Sequence, residues 1–180
     1  RSDEYITKAV AAEVLSFMID LANALTPHNI VVRLIGETHS ESDAAAIHDC
    51  QNIIWNGALP NAEAMAEVER SMVGLSLLAD IPNYRHSMPT KILEYMASGT
   101  AVVSTPLPLA VEVLQQDGVV LSTFDQSCIP QAVAEIVDLT NNSTRRDQLT
   151  RAGFARVRRE YNWNIAGREF VRVLEAAAQK

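Results

Sequence analysis

The sequence predicts an α/β fold: a doubly wound, Rossmann-like parallel sheet covered by helices on both faces, followed by a helical C-terminal tail. Three observations predict it. Short runs of apolar, largely β-branched residues alternate with segments in which apolar residues recur at helical spacing. The first two runs close on a glycine, Gly36 and Gly57. From Ile129 onward the pattern is helical to the end of the chain. Strands that alternate with helices at short intervals pair parallel, because each helix carries the chain back to the start of the next strand.

Taken in order, Ile6 to Ala24 is a helix whose Val10, Val14, Phe17, Met18, Leu21 and Leu25 share one face, and Pro27 with His28 and Asn29 ends it. Ile30 to Ile35 is a buried strand and Ser42 to Cys50 a weak helix. Asn52 to Asn56 is the second strand, and Pro60-Asn61 opens a helix through Met72 with Ala64, Met65 and Val68 inward. Val73 to Leu78 is the third strand. Ala79 to Met88, with its Asp, Pro, Asn and Ser, is a loop. Pro89 suits the first turn of a helix running to about Ser98, where its missing N–H costs nothing, and Gly99 follows as the terminating residue. Ala101 to Thr105 and Val119 to Ser122 are the fourth and fifth strands. The terminal helical region breaks at Asn141-Asn142-Ser143 and again at Tyr161 to Asn164.

With 180 residues, 48% hydrophobic and 21% charged, the chain is read as one globular domain, 1–180, with a core of its own. A formal charge of −7 argues against a nucleic-acid binder, since phosphate backbones select basic surfaces. Cys50 and Cys128 stand far apart with no metal-like spacing and read as plain thiols. No apolar run approaches the roughly 20 residues that span a bilayer, and no signal-peptide pattern opens the chain. A start at Arg1 rather than methionine is read as the start of an excised fragment.

In open parallel sheets, ligands bind beyond the carboxyl ends of the strands. Of the loops there, Ala79–Met88 is long for a βα connection and feeds a helix bearing Thr90, Lys91 and Glu94. A helix N-terminus offers unpaired N–H groups and partial positive charge. Lys91 adds a full charge at that end, against the helix dipole, so the placement favours an anion nearby. The ordinary alternative is a solvated lysine paired with an acid. Glu94 can clamp a ribose diol with its two oxygens, or sit exposed as the helical partner of Lys91.

The stretch His86 to Thr105, HSMPTKILEYMASGTAVVST, resembles the donor-site motif of retaining GT-B glycosyltransferases, of the group 1 type. The likeness extends through Ile30–Gly36, Ile53–Pro60 and Val73–Leu78 to Arg145–Glu175 with Tyr161-Asn162-Trp163, and implies the C-terminal half of a GT-B fold. Members of that family carry two glutamates eight positions apart. The second, a ribose ligand, matches Glu94; the first is replaced here by His86. The resemblance implies catalytic roles for His86, for which an ordinary loop histidine is the alternative, and for Lys91, and a sugar-diphosphate against the backbone of Met88, Pro89 and Thr90. Only Met88 and Thr90 of those three can give an N–H. Ala58 and Leu59 would meet the base, Gly36 and Thr105 would join the donor-binding residues, and Thr105 with Pro106 would face an interdomain cleft. Lys8 is the best match to a family lysine that neutralises the leaving diphosphate, and Arg1 a poor match to the accompanying arginine.

Carried through, the resemblance implies a nucleotide-diphospho-sugar as substrate, transfer with retention at the anomeric carbon, and no cofactor or metal, since no D-x-D carboxylate pair stands in the right context. It implies that the first strand of the domain and an N-terminal acceptor-binding domain are missing, that the fragment alone is inactive, and that the setting is polysaccharide synthesis. The expected location is cytoplasmic, including the inner face of the membrane, with peripheral association through the missing domain and no nucleic-acid partner. Two readings compete. A GT-B-type sugar-nucleotide epimerase would need an acid–base pair that the sequence does not offer. A non-enzymatic doubly wound module of receiver type would need several acids at a strand end, where Asp80 stands alone.

Overall fold

The structure is a computed structural model and describes the backbone of residues 2–38 and 40–178, with the side chains of residues 14–38, 40–165, 167, 168 and 170–178. Helix α1 (Ser2–Leu25) leads into β1 (Val32–Leu34), α2 (Glu41–Asp49), β2 (Ile53–Trp55), α3 (Asn61–Arg70) and β3 (Val73–Ser76). The chain continues through α4 (Pro82–Arg85), α5 (Thr90–Ala97), β4 (Ala101–Ser104), α6 (Pro108–Leu114) and β5 (Val119–Val120). Helices α7 (Ile129–Asn141), α8 (Ser143–Glu160) and α9 (Trp163–Ala178) form the tail, broken where Asn142 and Tyr161 stand, as its sequence predicts.

Every pairing is parallel. Val32 stands opposite Ile53, Val73 opposite Ala101, and Ser104 opposite Val120. Parallel strands covered on two faces should be apolar throughout rather than alternating, and β4 is: all of Ala101 to Ser104 is buried. Ala101 and Val103 point into one core with Phe17, Leu21 and Leu25 of α1 and Ala132, Ile136 and Leu139 of α7. Val102 points into the other, with Ile92 and Met96 of α5 and Val113 and Leu114 of α6. That two-sided burial is the doubly wound architecture.

Four details differ from the sequence-based expectation. The strands form two ladders, β1-β2 and β3-β4-β5, rather than one sheet among the described residues. The strands are shorter than their apolar runs, because parallel pairing ends where the partner strand turns away. The segment 79–88 is not wholly irregular: Pro82 opens a single helical turn, α4, at a position where its missing N–H is no loss. Helix α6 was not anticipated, its start masked by Pro106 and Pro108, of which Pro108 sits in the first turn.

Local chemistry sets the remaining positions. Asn52 is buried and donates from Nδ2 to the Ala22 carbonyl at 2.6 Å and the Ile30 carbonyl at 2.7 Å, tying α1 to the start of both β1 and β2. Gly99 takes φ +70°, and the Thr100 N–H reaches back to the Tyr95 carbonyl at 2.9 Å, which closes α5 in a Schellman turn. The Thr100 hydroxyl then donates to the Val68 carbonyl at 2.9 Å, at the end of α3. The Arg146 guanidinium donates to the Leu139 and Thr140 carbonyls at 2.8 and 3.1 Å, capping α7, while Arg156 joins Asp117 at 2.5 Å. Among the described residues no helix is long and apolar enough to cross a membrane.

Helix α5 lies on β3 through one contact of particular tightness. A Cβ placed on Gly74 would stand 2.5 Å from the Tyr95 ring. Burial, followed by the Glu94 carboxylate, pushes the Tyr95 phenol above its usual range. Gly74→Ala is therefore expected to cost about 1–3 kcal/mol through overpacking. Chemical denaturation of Gly74→Ala, alone and with Tyr95→Leu, checks this: the second change should restore part of the loss, and an unchanged midpoint for Gly74→Ala would contradict it.

Candidate functional site

The site is built where the strands end. Helix α3 carries the chain from the end of β2 back to the start of β3, so the two ladders run the same way and their carboxyl ends share one edge. An eight-residue helix is about 12 Å long and a four-residue strand about 13 Å. Helix α5 ends at the start of β4, so its own first turn comes level with the ends of β3 and β4. Thr90, Lys91 and Glu94 thus stand at the edge where ligands bind in such sheets.

The first turn of α5 is capped by backbone. Pro89 is buried with φ −78° and ψ 74°, and its carbonyl accepts from the Ile92 and Leu93 N–H groups at 3.0 and 3.3 Å. The Thr90 N–H is turned back onto the Met88 carbonyl at 2.9 Å. Thr90, Lys91 and Glu94 are exposed, as are His86 and Met88 before them. Lys91 and Glu94, the pair whose mutual attraction was the ordinary alternative, form no ion pair with each other or with any other described residue. A free cation and a free carboxylate one turn apart can receive an anion and a diol respectively.

The other sequence-derived residues fall in two places. Gly36, at φ +143°, donates its N–H to the Gly57 carbonyl at 2.8 Å, and its own carbonyl accepts from the Trp55 indole N–H at 2.8 Å. These bonds bring Gly36 beside the turn that carries Ala58, exposed, and Leu59, half-buried. Thr105 sits elsewhere. It is 1% exposed, and its hydroxyl accepts from the Leu78 N–H at 3.0 Å and donates to the Leu78 carbonyl at 2.8 Å. Its side chain clasps the exit of β3, and its place at the edge is the wall of a cavity of about 270 Å³ shared with Leu78, Phe124 and Asp125. Arg1 and the side chain of Lys8 lie outside the described residues.

Two features escape the sequence reading. Asp80 accepts from Arg85 Nε and Nη2 at 2.5 and 2.6 Å, a two-pronged pair that closes the loop before His86 across the single turn of α4. The signal for it was Pro82, a helix opener set between an acid and a base. Asp125 caps a 3₁₀ turn by accepting from the Ser127 N–H at 2.8 Å, which with the Ser127 hydroxyl holds its carboxyl below the usual range. Among the described residues no cluster of three or more His, Cys, Asp or Glu could hold a metal ion.

The sequence profile of a family described as glycosyl transferase-like matches residues 13–178. No curated protein matches the chain. Among solved structures, TarM of S. aureus, in a complex with fondaparinux, alpha-GlcNAc-glycerol and UDP, is 13% identical with a TM-score of 0.69, over 89% of this chain and 32% of that one. Sucrose-phosphate synthase from Thermosynechococcus elongatus is 16% identical with a TM-score of 0.71, over 92% and 43%. A UDP-forming alpha,alpha-trehalose-phosphate synthase from Burkholderia xenovorans is 15% identical with a TM-score of 0.63, over 92% and 41%. At such identities the likeness is one of fold. The chain spans 32% to 43% of the length of these relatives.

The Arg85 guanidinium holds the Asp80 carboxyl below its usual range. A depressed carboxyl contributes order above its unfolded value of about 3.9, and that order is lost as pH falls through the lower folded value. Amide exchange across 79–88, taken relative to the intrinsic rate at each pH, should therefore stay slow from neutral pH down through pH 4 and quicken only below it. Asp80→Asn should quicken it at pH 7 without altering exchange in β4. Equal exchange in variant and parent would show that the pair does not hold the loop.

Proposed function

The chain belongs to the glycosyl transferase-like family and has the fold of the C-terminal half of a GT-B glycosyltransferase, and from that premise we propose that it binds a nucleotide-diphospho-sugar at the carboxyl edge of its sheet. The observation that carries this is the opening of α5, with Lys91 and Glu94 exposed, unpaired with each other and one turn apart. The diphosphate lies at the helix start, where Lys91 and the partial positive charge of the backbone face it. Glu94 accepts from the two hydroxyls of the ribose. The base rests against the turn at Ala58 and Leu59, beside Gly36.

In transfer, the bond between the anomeric carbon and the diphosphate oxygen breaks, and negative charge collects on the departing nucleoside diphosphate. Stabilising that charge lowers the barrier more than a strong base would. Lys91 with the Met88–Thr90 backbone supplies the stabilisation. Because the Thr90 N–H already meets the Met88 carbonyl, it must turn outward to reach a phosphate oxygen, so ligand binding and a small rearrangement of this turn go together. His86, in the position beside the sugar, donates a hydrogen bond to a hydroxyl or to a phosphate oxygen. The acceptor is held by a separate N-terminal domain, consistent with the share of its relatives that the chain spans, and the isolated chain binds donor without turning it over. The likeness of fold to a protein complexed with UDP supports a uridine nucleotide as the first ligand to try.

Two measurements test the reading. Calorimetry with UDP, GDP and ADP should find at least one ligand, and Glu94→Ala should weaken it by about 1–3 kcal/mol while leaving the melting temperature unchanged. Lys91→Ala should weaken the diphosphate and leave the free nucleoside unaffected. A ligand at about 100 times its Kd should add roughly 2.7 kcal/mol of stability. Unchanged affinity in Glu94→Ala, with a lower melting temperature, would make Glu94 structural and sink the assignment.

A further inference from the structure

The turn that follows β2 sets a side-chain amide beside a free backbone nitrogen. Asn56 is the only asparagine in the chain followed by a glycine. A backbone nitrogen can attack the side-chain carbonyl carbon of the asparagine before it and close a five-membered ring. A side chain on the attacking residue crowds that approach, and glycine has none. Gly57 lies in the left-handed region at φ +64°, and a Cβ built on it would meet nothing within 4 Å. Its N–H makes no hydrogen bond among the described residues, so no acceptor holds the proton that the nitrogen must lose.

The asparagine itself is exposed, and the end that must depart is free. Asn56 Oδ1 accepts from Arg33 Nη1 at 2.9 Å, which draws electron density from Cγ, while Nδ2 has no partner among the described residues. Asn52, four residues earlier, shows the opposite arrangement. It is buried, and its Nδ2 is bound to the Ala22 and Ile30 carbonyls at 2.6 and 2.7 Å. Asp117 also precedes a glycine, Gly118, but its carboxylate is occupied by Arg156 at 2.5 Å, and a carboxylate is a poor target for a nitrogen nucleophile.

We propose that Asn56 is a site of spontaneous deamidation in the folded protein. The Gly57 nitrogen loses its proton and bonds to Asn56 Cγ. The bond from Cγ to Nδ2 breaks, and Nδ2 takes up the proton and leaves as ammonia. One water then opens the succinimide ring: attack at Cγ gives aspartate, and attack at the backbone carbonyl carbon gives isoaspartate. Nothing is oxidised or reduced. Both products place a carboxylate near the Arg33 guanidinium, but they differ in the backbone. In isoaspartate the chain runs through the former side chain and gains one carbon between β2 and Gly57. The Gly57 carbonyl is thereby displaced from the Gly36 N–H, from which it accepts at 2.8 Å, and the turn carrying Ala58 and Leu59 moves with it. The chemistry needs no nucleotide and holds whatever the chain binds.

The test ages residues 1–180, folded, at mildly alkaline pH and body temperature, beside the same chain in urea. Fragment sequencing by mass spectrometry should find a gain of one mass unit at Asn56 before any other asparagine, faster as pH rises. An isoaspartate-specific methyltransferase should label the same fragment. A share of Gly36 amides equal to the isoaspartate content should exchange about ten-fold faster than in fresh protein. Asn56→Gln, which would have to close a six-membered ring, should gain no mass and keep Gly36 slow. Asn56→Asp carries the carboxylate without the extra backbone carbon, and it too should keep Gly36 slow. The proposal is overturned if Asn56 stays intact in the folded chain while it converts in urea, or if another asparagine converts first. It is equally overturned if Gly36 keeps its protection in chains that carry isoaspartate.

Discussion

The molecule depends on one packing contact above others: the apolar face of α1 laid across two separate ladders. Phe17, Leu21, Ala22 and Leu25 are each 4% exposed or less, and they reach Val32 on one side and Val103 and Val119 on the other. Burying a leucine or phenylalanine side chain stabilises by about 1.5–3 kcal/mol. A handful of such residues therefore outweighs any surface ion pair in the tail, where exposed pairs contribute at most about 1 kcal/mol. Asn52 adds direction to this contact. Its two donations, to Ala22 and Ile30, fix where α1 ends relative to the first ladder, which apolar packing alone leaves free to slide. Without that register the glycine turns at Gly36 and Gly57 would not come together.

The second ladder positions the candidate site by a different device. Gly74 has no side chain, so the Tyr95 ring can lie against the strand, and this sets the height of α5 on the sheet. Gly153 does the same from outside: a Cβ there would come within 3.3 Å of Met96, so α8 presses directly on the buried side of α5. Held from both faces, α5 presents its first turn at a fixed place. Thr105 completes the arrangement by binding both backbone groups of Leu78, so the loop leaves β3 in one direction. The threonine that the family resemblance sets among the donor-binding residues thus holds the backbone from which the candidate loop departs.

What was legible in the sequence follows from which signals are local. The order of strands and helices could be read, because parallel strands are apolar throughout and the helices between them keep their period. The break at Asn142 and the Gly99 terminator could be read, because a turn residue carries its own conformational preference. The motif from His86 to Glu94 could be placed at a strand end. The Asp80–Arg85 clasp and α4 could not, since a run rich in Pro, Asn and Ser looks the same whether or not one helical turn forms in it. Helix α6 was hidden by prolines that read as breakers, although Pro108 sits where a helix tolerates it. The division of the sheet was illegible for a deeper reason. Whether two neighbouring strands in sequence are neighbours in space depends on what lies between them, and the apolar pattern of β1 and β3 is the same in either case.

The charge distribution bears on how such a site would work. Six basic and eighteen acidic residues precede Ser143, while nine basic and four acidic residues follow from it to the end. The net charge of −7 repels an anionic ligand at long range, although the basic helix α8 packs directly on α5. At physiological salt that repulsion fades over about 8 Å, so it affects approach more than the bound state. On the proposed reading, the short-range groups that favour a diphosphate are Lys91, whose charge is uncompensated among the described residues, and the backbone dipoles of α5, since the Thr90, Ile92 and Leu93 N–H groups already meet the Met88 and Pro89 carbonyls. Backbone dipoles cannot be screened away at contact distance, and they cost no side-chain entropy to hold in place. On the proposed reading, selectivity comes from Glu94: an anion without a diol meets only Lys91 and the helix start, while a ligand that carries both engages all three.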